Sequence, residues 1–143
     1  MNTQLNTQTV QQVNDRFTTL RRALRSNGVF SLVSGLILAL GAQPISAFMG
    51  LAATAVFLTL GIVLILYSID LFWVASRTEI DRRLAWTAVI LDIIWVAASY
   101  TLLLGGWLPL TTAGNWTVAL IAELVAIFAI WQYIGLRRAA TSD

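Results

Sequence analysis

A chain of 143 residues that is 58% hydrophobic and only 11% charged, with a net charge of +2, has too few charges to cover a soluble domain. Such a domain carries about 25% charged residues, so the solvent of this chain is mostly lipid. It contains no Cys, His or Lys. That excludes disulfides, thiol chemistry, imidazole bases, His-ligated haem, ordinary zinc sites and Schiff bases.

Residues 1–9 are polar and are expected to be disordered or frayed. From Val10 onward, Val10, Val13, Phe17, Leu20 and Leu24 recur at steps of three and four, one narrow helical stripe. Arg22 and Arg25 lie away from it, and Arg16 and Arg21 at its margins. This pattern reads as an amphipathic interfacial helix over 10–26, or equally as a cytoplasmic extension of the first span.

Four apolar stretches follow, over about 28–42, 51–76, 84–104 and 116–136. Three have at least the 20 residues that a hydrocarbon core of ~30 Å requires, and the first is marginal. Gly28, Ser31 and Gly35 put small residues close together on the first span, allowing a neighbouring helix to approach. Ala39-Leu40-Gly41 offers a small-x-small cleavage site, but the long polar and amphipathic segment before it predicts that the span is retained. Residues 139–143 read as a short cytoplasmic tail, and these segments leave no room within 143 residues for a second domain. The expected fold class is all-α, a membrane four-helix bundle of two antiparallel hairpins.

All nine positive charges are Arg, and their placement predicts orientation. Arg16, Arg21, Arg22 and Arg25 precede the first span, Arg77, Arg82 and Arg83 separate the second from the third, and Arg137 and Arg138 follow the fourth. The loops at 41–50 and 105–115 carry no charge. By the positive-inside rule both termini and the charged loop are expected on the cytoplasmic side. Trp107 and Trp116 fit one interfacial belt, and Trp73, Trp86 and Trp131 the other. The arginines serve as topology signals, so no nucleic-acid partner is expected. The two hairpins share Arg at entry (Arg21-Arg22, Arg82-Arg83) and Gly/Pro at the turn, a degenerate parallel repeat.

Three acids lie within apolar stretches: Asp70, Asp92 and Glu123. Asp70 is about 10 Å along its helix from Arg77, Asp92 about 13 Å from Arg83, and Glu123 about 21 Å from Arg137. An ionised carboxylate at a helix centre costs about 2.5–3.5 kcal/mol, so such groups should face the bundle interior. Asp92 shares a helix face with Trp95 and Ser99, which could supply a donor. Glu123 sits beside Ala119, Ala122, Ala126 and Ala129, a strip suited to tight packing. Asp70 lies between Tyr67 and Arg77, where a snorkelling Arg77 could neutralise it. Gln132 and Tyr133 read as interfacial, and Asn115 or Thr112 as the cap of the last helix.

In layout, residues 20–138 resemble uncharacterised four-span bacterial membrane proteins. The resemblance rests on Arg25-Ser26-Asn27 entering a Ser/Gly-containing span, Asp92-Ile93-Ile94-Trp95, Leu110-Thr111-Thr112-Ala113-Gly114 before the last span, and Gly135-Leu136-Arg137-Arg138. It implies no activity. Small multidrug transporters carry an acid in their first span and quinone-linked thiol oxidoreductases carry Cys pairs; this chain has neither. The sequence therefore predicts a structural or accessory membrane protein without cofactor, partnered by lipid and by copies of itself or a larger complex. The competing expectation is a proton- or cation-coupled transporter using Asp92 and Glu123.

Overall fold

The structure is a computed structural model describing residues 2–141, with side chains described for 7–11 and 17–140. Readings that concern Met1, residues 142–143 or the side chains of Val13 and Arg16 lie outside the described residues. The chain is all-α, built from α1 (Asn2–Leu40), α2 (Ala42–Met49), α3 (Thr54–Ser76), α4 (Arg82–Gly105) and α5 (Thr112–Thr141).

Four stretches are long and apolar enough to cross a membrane: Phe17–Leu40, Thr54–Ser76, Arg82–Gly105 and Thr112–Ala140. The shortest has 23 residues, about 35 Å of helix, against a hydrocarbon core of ~30 Å. Polarity is distributed inside-out. Asn27, Ser31, Ser68, Asp92 and Gln132 are buried, while Val33, Ile37, Leu66, Ile69, Ile94 and Ile127 are exposed on the outer faces. A polar interior under an apolar exterior suits a lipid solvent, and this is a multi-pass membrane protein.

α1 is one unbroken helix from Asn2. Residues 2–9, expected to be disordered or frayed, are therefore helical and lie on the same rod as the segment read as interfacial and the first span. Nothing in its sequence forces a break: it contains no Pro, and Gly28 and Gly35 cost about 1 kcal/mol each. The stripe begun at Val10 is exposed at its start but buried from Phe17 through Leu20 and Leu24. There it packs with Leu71, Val74 and Ala75 of α3, Ala85 and Val89 of α4, and Leu136 and Ala139 of α5.

The helices run antiparallel to their neighbours. On α1 and α3, Gly35 faces Gly61 and Ile65, and Gly28 faces Phe72. A methyl group on Gly61 would stand 2.6 Å from the Ala39 backbone nitrogen, so the two backbones touch where only glycine fits. α1 also meets α5, with Gly135 against Leu20 and the Phe30 and Phe128 rings 5.4 Å apart. α4 lies along α5, where Trp86 meets Tyr133 edge-on at 5.8 Å.

At the Arg-free end the two connections hold each other. α2 includes Pro44 in its first turn, where a missing N–H costs nothing, and ends at Gly50 with φ 81°. Thr111 N–H donates to the Met49 carbonyl at 3.0 Å, and Thr111 Oγ1 to the Phe48 carbonyl at 2.8 Å. Thr111 Oγ1 also accepts from Gly114 N–H at 2.9 Å, so Thr111, and not Asn115 or Thr112, caps α5. The hold on Met49 and Phe48 fixes Thr111 in the capping position.

At the Arg-rich end, two arginines close helix ends. Arg21 donates from Nε to the Ala75 carbonyl at 3.0 Å and from Nη2 to the Arg77 and Thr78 carbonyls at 2.8 and 3.1 Å. Arg82 Nη2 donates to the Ala139 carbonyl at 3.0 Å. Arg21 therefore caps the carbonyl end of α3, and Arg82 caps that of α5. The repeated Arg pair of the sequence has a repeated use.

Candidate functional site

The site is a polar node centred on Asp92 of α4, which is 3% exposed. Each of the other three spanning helices sends one neutral donor to its carboxyl group. Asn27 Nδ2 on α1 donates to Oδ2 at 2.7 Å, Gln132 Nε2 on α5 donates to Oδ2 at 2.8 Å, and Tyr67 hydroxyl on α3 donates to Oδ1 at 2.9 Å. Asn27 Oδ1 in turn accepts from Ser31 Oγ one turn along α1, at 3.3 Å. The Tyr67 oxygen also lies 3.3 Å from the Ala88 carbonyl. Gln132 Oε1 is buried without a hydrogen-bond partner among the described residues.

Local sequence explains why these groups meet. The stripe Phe17–Leu20–Leu24 continues at the same spacing to Asn27 and Ser31, so the polar pair occupies the buried face of α1. On α5, Val125, Ala129, Gln132 and Leu136 form the corresponding buried stripe. With no water inside the bilayer to replace a lost partner, donors to a buried carboxyl become ties between helices. Among the described residues no Arg bonds to the node, and three neutral dipoles solvate it.

The other two acids are elsewhere. Glu123 is on the outer face and accepts a hydrogen bond from the Tyr100 hydroxyl of α4. Its neighbour Ala122 is fully buried, and one residue along a helix turns the side chain by about 100°, which swings Glu123 outward. Asp70 is also exposed, and the Arg77 guanidinium stacks 4.0 Å above the Trp73 ring. The expectation that all three acids face the interior therefore holds for Asp92 alone. Asp92 and Glu123 are not brought together.

The donors expected for Asp92 also differ. Ser99 Oγ donates to the Trp95 carbonyl at 2.8 Å within α4, and neither Trp95 nor Ser99 bonds to Asp92. Tyr67, which the sequence associates with Asp70, serves Asp92. Gln132, read as interfacial, is completely buried. The sequence reading missed Asn27 and Gln132 as site residues.

Two open clefts lie along α4 and α5. One, of about 440 Å³, is lined by apolar and aromatic side chains including Val89 and Ala129; the other, of about 410 Å³, lies toward the Arg-free end by Asn115 and Trp116. Neither Asp92 nor Glu123 lines either cleft. Among the described residues, no three His, Cys, Asp or Glu side chains converge as a metal ligand set. No family model matches the chain, and no curated protein or solved structure matches it.

Proposed function

We propose that this chain is a non-enzymatic structural or accessory membrane protein, acting as a small homo-oligomer or beside a larger membrane complex. In this reading it resides in a bacterial inner membrane, the setting of the four-span proteins it resembles in layout, and the Arg distribution supports cytoplasmic termini. The observation that carries this reading is the Asp92 node. A buried carboxyl group with all its donors on three other helices is engaged in holding the bundle, and it lines neither cleft. A coupling residue in a transporter needs a water path to exchange its proton or cation, and Asp92 and Glu123 share no such path in the described clefts.

The test is flux in proteoliposomes under an imposed pH or sodium gradient. The wild-type protein should give no flux above empty vesicles. Flux abolished by Asp92→Asn or Glu123→Gln in a still-folded protein would establish ion coupling in place of the structural role.

A further inference from the structure

The larger cleft is a trough between α4 and α5. Val89 and Ala129 are buried in its floor, and Trp86 and Ile93 on one side and Ile130 and Tyr133 on the other form exposed rims. From Trp86 to Ala97 it extends for about 16 Å of helix. Its Arg-rich end is closed by the Trp86–Tyr133 edge contact. One turn further, by helical spacing, stand Arg82 and Arg83 on α4 and Arg137 on α5, with Arg138 beside it. The Arg137 guanidinium lies 6.0 Å above the Tyr133 ring, and Arg82 bridges to the Ala139 carbonyl. Among the described residues, Glu79 and Asp81 are the acids near this end, and Asp81 accepts from Arg83 N–H as the cap of α4. The four arginines outnumber them.

An apolar trough that opens on the lipid side and ends under a cationic rim has the polarity of one kind of ligand. We infer that the α4–α5 trough is a binding site for an anionic phospholipid, with one acyl chain along Val89 and Ala129 and the phosphate among Arg83 and Arg137. Aromatic side chains at the headgroup level and Arg clusters at the same end suit such a lipid. A second copy of the chain fits less well. Two copies inserted with the same orientation would bring their Arg-rich ends to the same depth, and like charges would face each other across the contact. This inference does not depend on the role of Asp92.

The experiment is native mass spectrometry of the full-length protein in mild detergent, titrated with a phosphatidylglycerol or with a phosphatidylcholine of the same acyl chains. The phosphatidylglycerol should be retained preferentially. Arg83→Gln and Arg137→Gln should each weaken its retention by about fivefold. Ala97→Phe, at an exposed position in the trough, should weaken it too, with helicity and melting temperature checked; Ile130→Trp, at an exposed rim, serves as a second blocking variant. Arg22→Gln on α1 should leave retention unchanged. Equal retention of the two lipids, or an equal loss with Arg22→Gln, would reduce the site to general charge attraction and overturn the assignment. A dimer that Ala97→Phe disrupts, with lipid adducts unaffected, would assign the trough to a second copy instead.

Discussion

The Asn27 side-chain nitrogen lies 2.7 Å from Asp92 Oδ2, a bond across 65 residues that links the first span to the third. Both residues are essentially buried, at 1% and 3% exposure. Since Gln132 shares the same oxygen and Tyr67 takes the other, removing the carboxyl group strands three donors at once.

Asp92→Ala should therefore destabilise the protein by about 2–5 kcal/mol, from three lost interhelical bonds and the buried donors left behind. Asp92→Asn should be nearly neutral. Its amide oxygen can replace Oδ2 as acceptor for Asn27 and Gln132, and its amide nitrogen can donate to the Tyr67 oxygen. The Tyr67 hydroxyl hydrogen then turns to the Ala88 carbonyl, 3.3 Å away. Thermal unfolding in detergent separates the two variants. Equal losses would show that charge, not hydrogen-bond geometry, holds the node.

Gly61→Ala should cost about 1–3 kcal/mol, because its methyl group would press on the Ala39 and Gly35 backbones at 2.6 and 2.7 Å. Flexible side chains could yield at such distances, but two helix backbones in contact yield only by moving apart. Gly35→Ala should behave alike, and the double variant should cost less than the sum, since one separation of α1 from α3 relieves both. The measurement is unfolding midpoint in a denaturing detergent.

Arg21→Gln should free the carbonyl end of α3 and cost about 1 kcal/mol, whereas Arg22→Gln, at an exposed position, should cost little. Amide hydrogen exchange gives the local readout. Protection should fall in the last turn of α3 and hold in α5, and the reverse should follow Arg82→Gln. Loss confined to α1 in the Arg21 variant would rule out the capping role.

Membrane orientation is open to direct measurement. A reporter fused after Asp143 should be active only in a form that works in the cytoplasm. One inserted near Ser46 or Ala113 should be active only in a form that works outside it. These expectations follow from nine arginines on one side against none in the loops 41–50 and 105–115. A reversed result at any of the three positions would break the assignment.

The four spans were legible because 20 consecutive apolar residues have few other uses, and the arginines marked their ends. The carboxyl group of the node was legible too, in Asp92, and Tyr67 was singled out, but beside Asp70. The rest was written in a pattern followed too briefly. The stripe through Val10, Val13, Phe17, Leu20 and Leu24 lands next on Asn27 and Ser31 at unchanged spacing, and on α5 Gln132 falls in step with Val125, Ala129 and Leu136. In a membrane helix a polar residue in such a stripe marks an interior contact. By contrast, the outward placement of Glu123 needed three-dimensional packing. Its Ala-rich neighbourhood is indeed buried at Ala122 and Ala129, but a strip of small residues does not by itself say on which side of its edge an acid falls.

The node also has a consequence in time. Ribosomes deliver the spans in order, and Gln132 arrives 40 residues after the carboxyl group it serves. A nascent chain with three spans inserted holds Asp92 with two of its three partners and with the α5 side open to lipid. A carboxylate left so exposed costs up to about 2.5–3.5 kcal/mol, comparable to much of a small domain's stability. Only a chain synthesised through its last span makes the third bond, so a product truncated before α5 is less stable than the full chain.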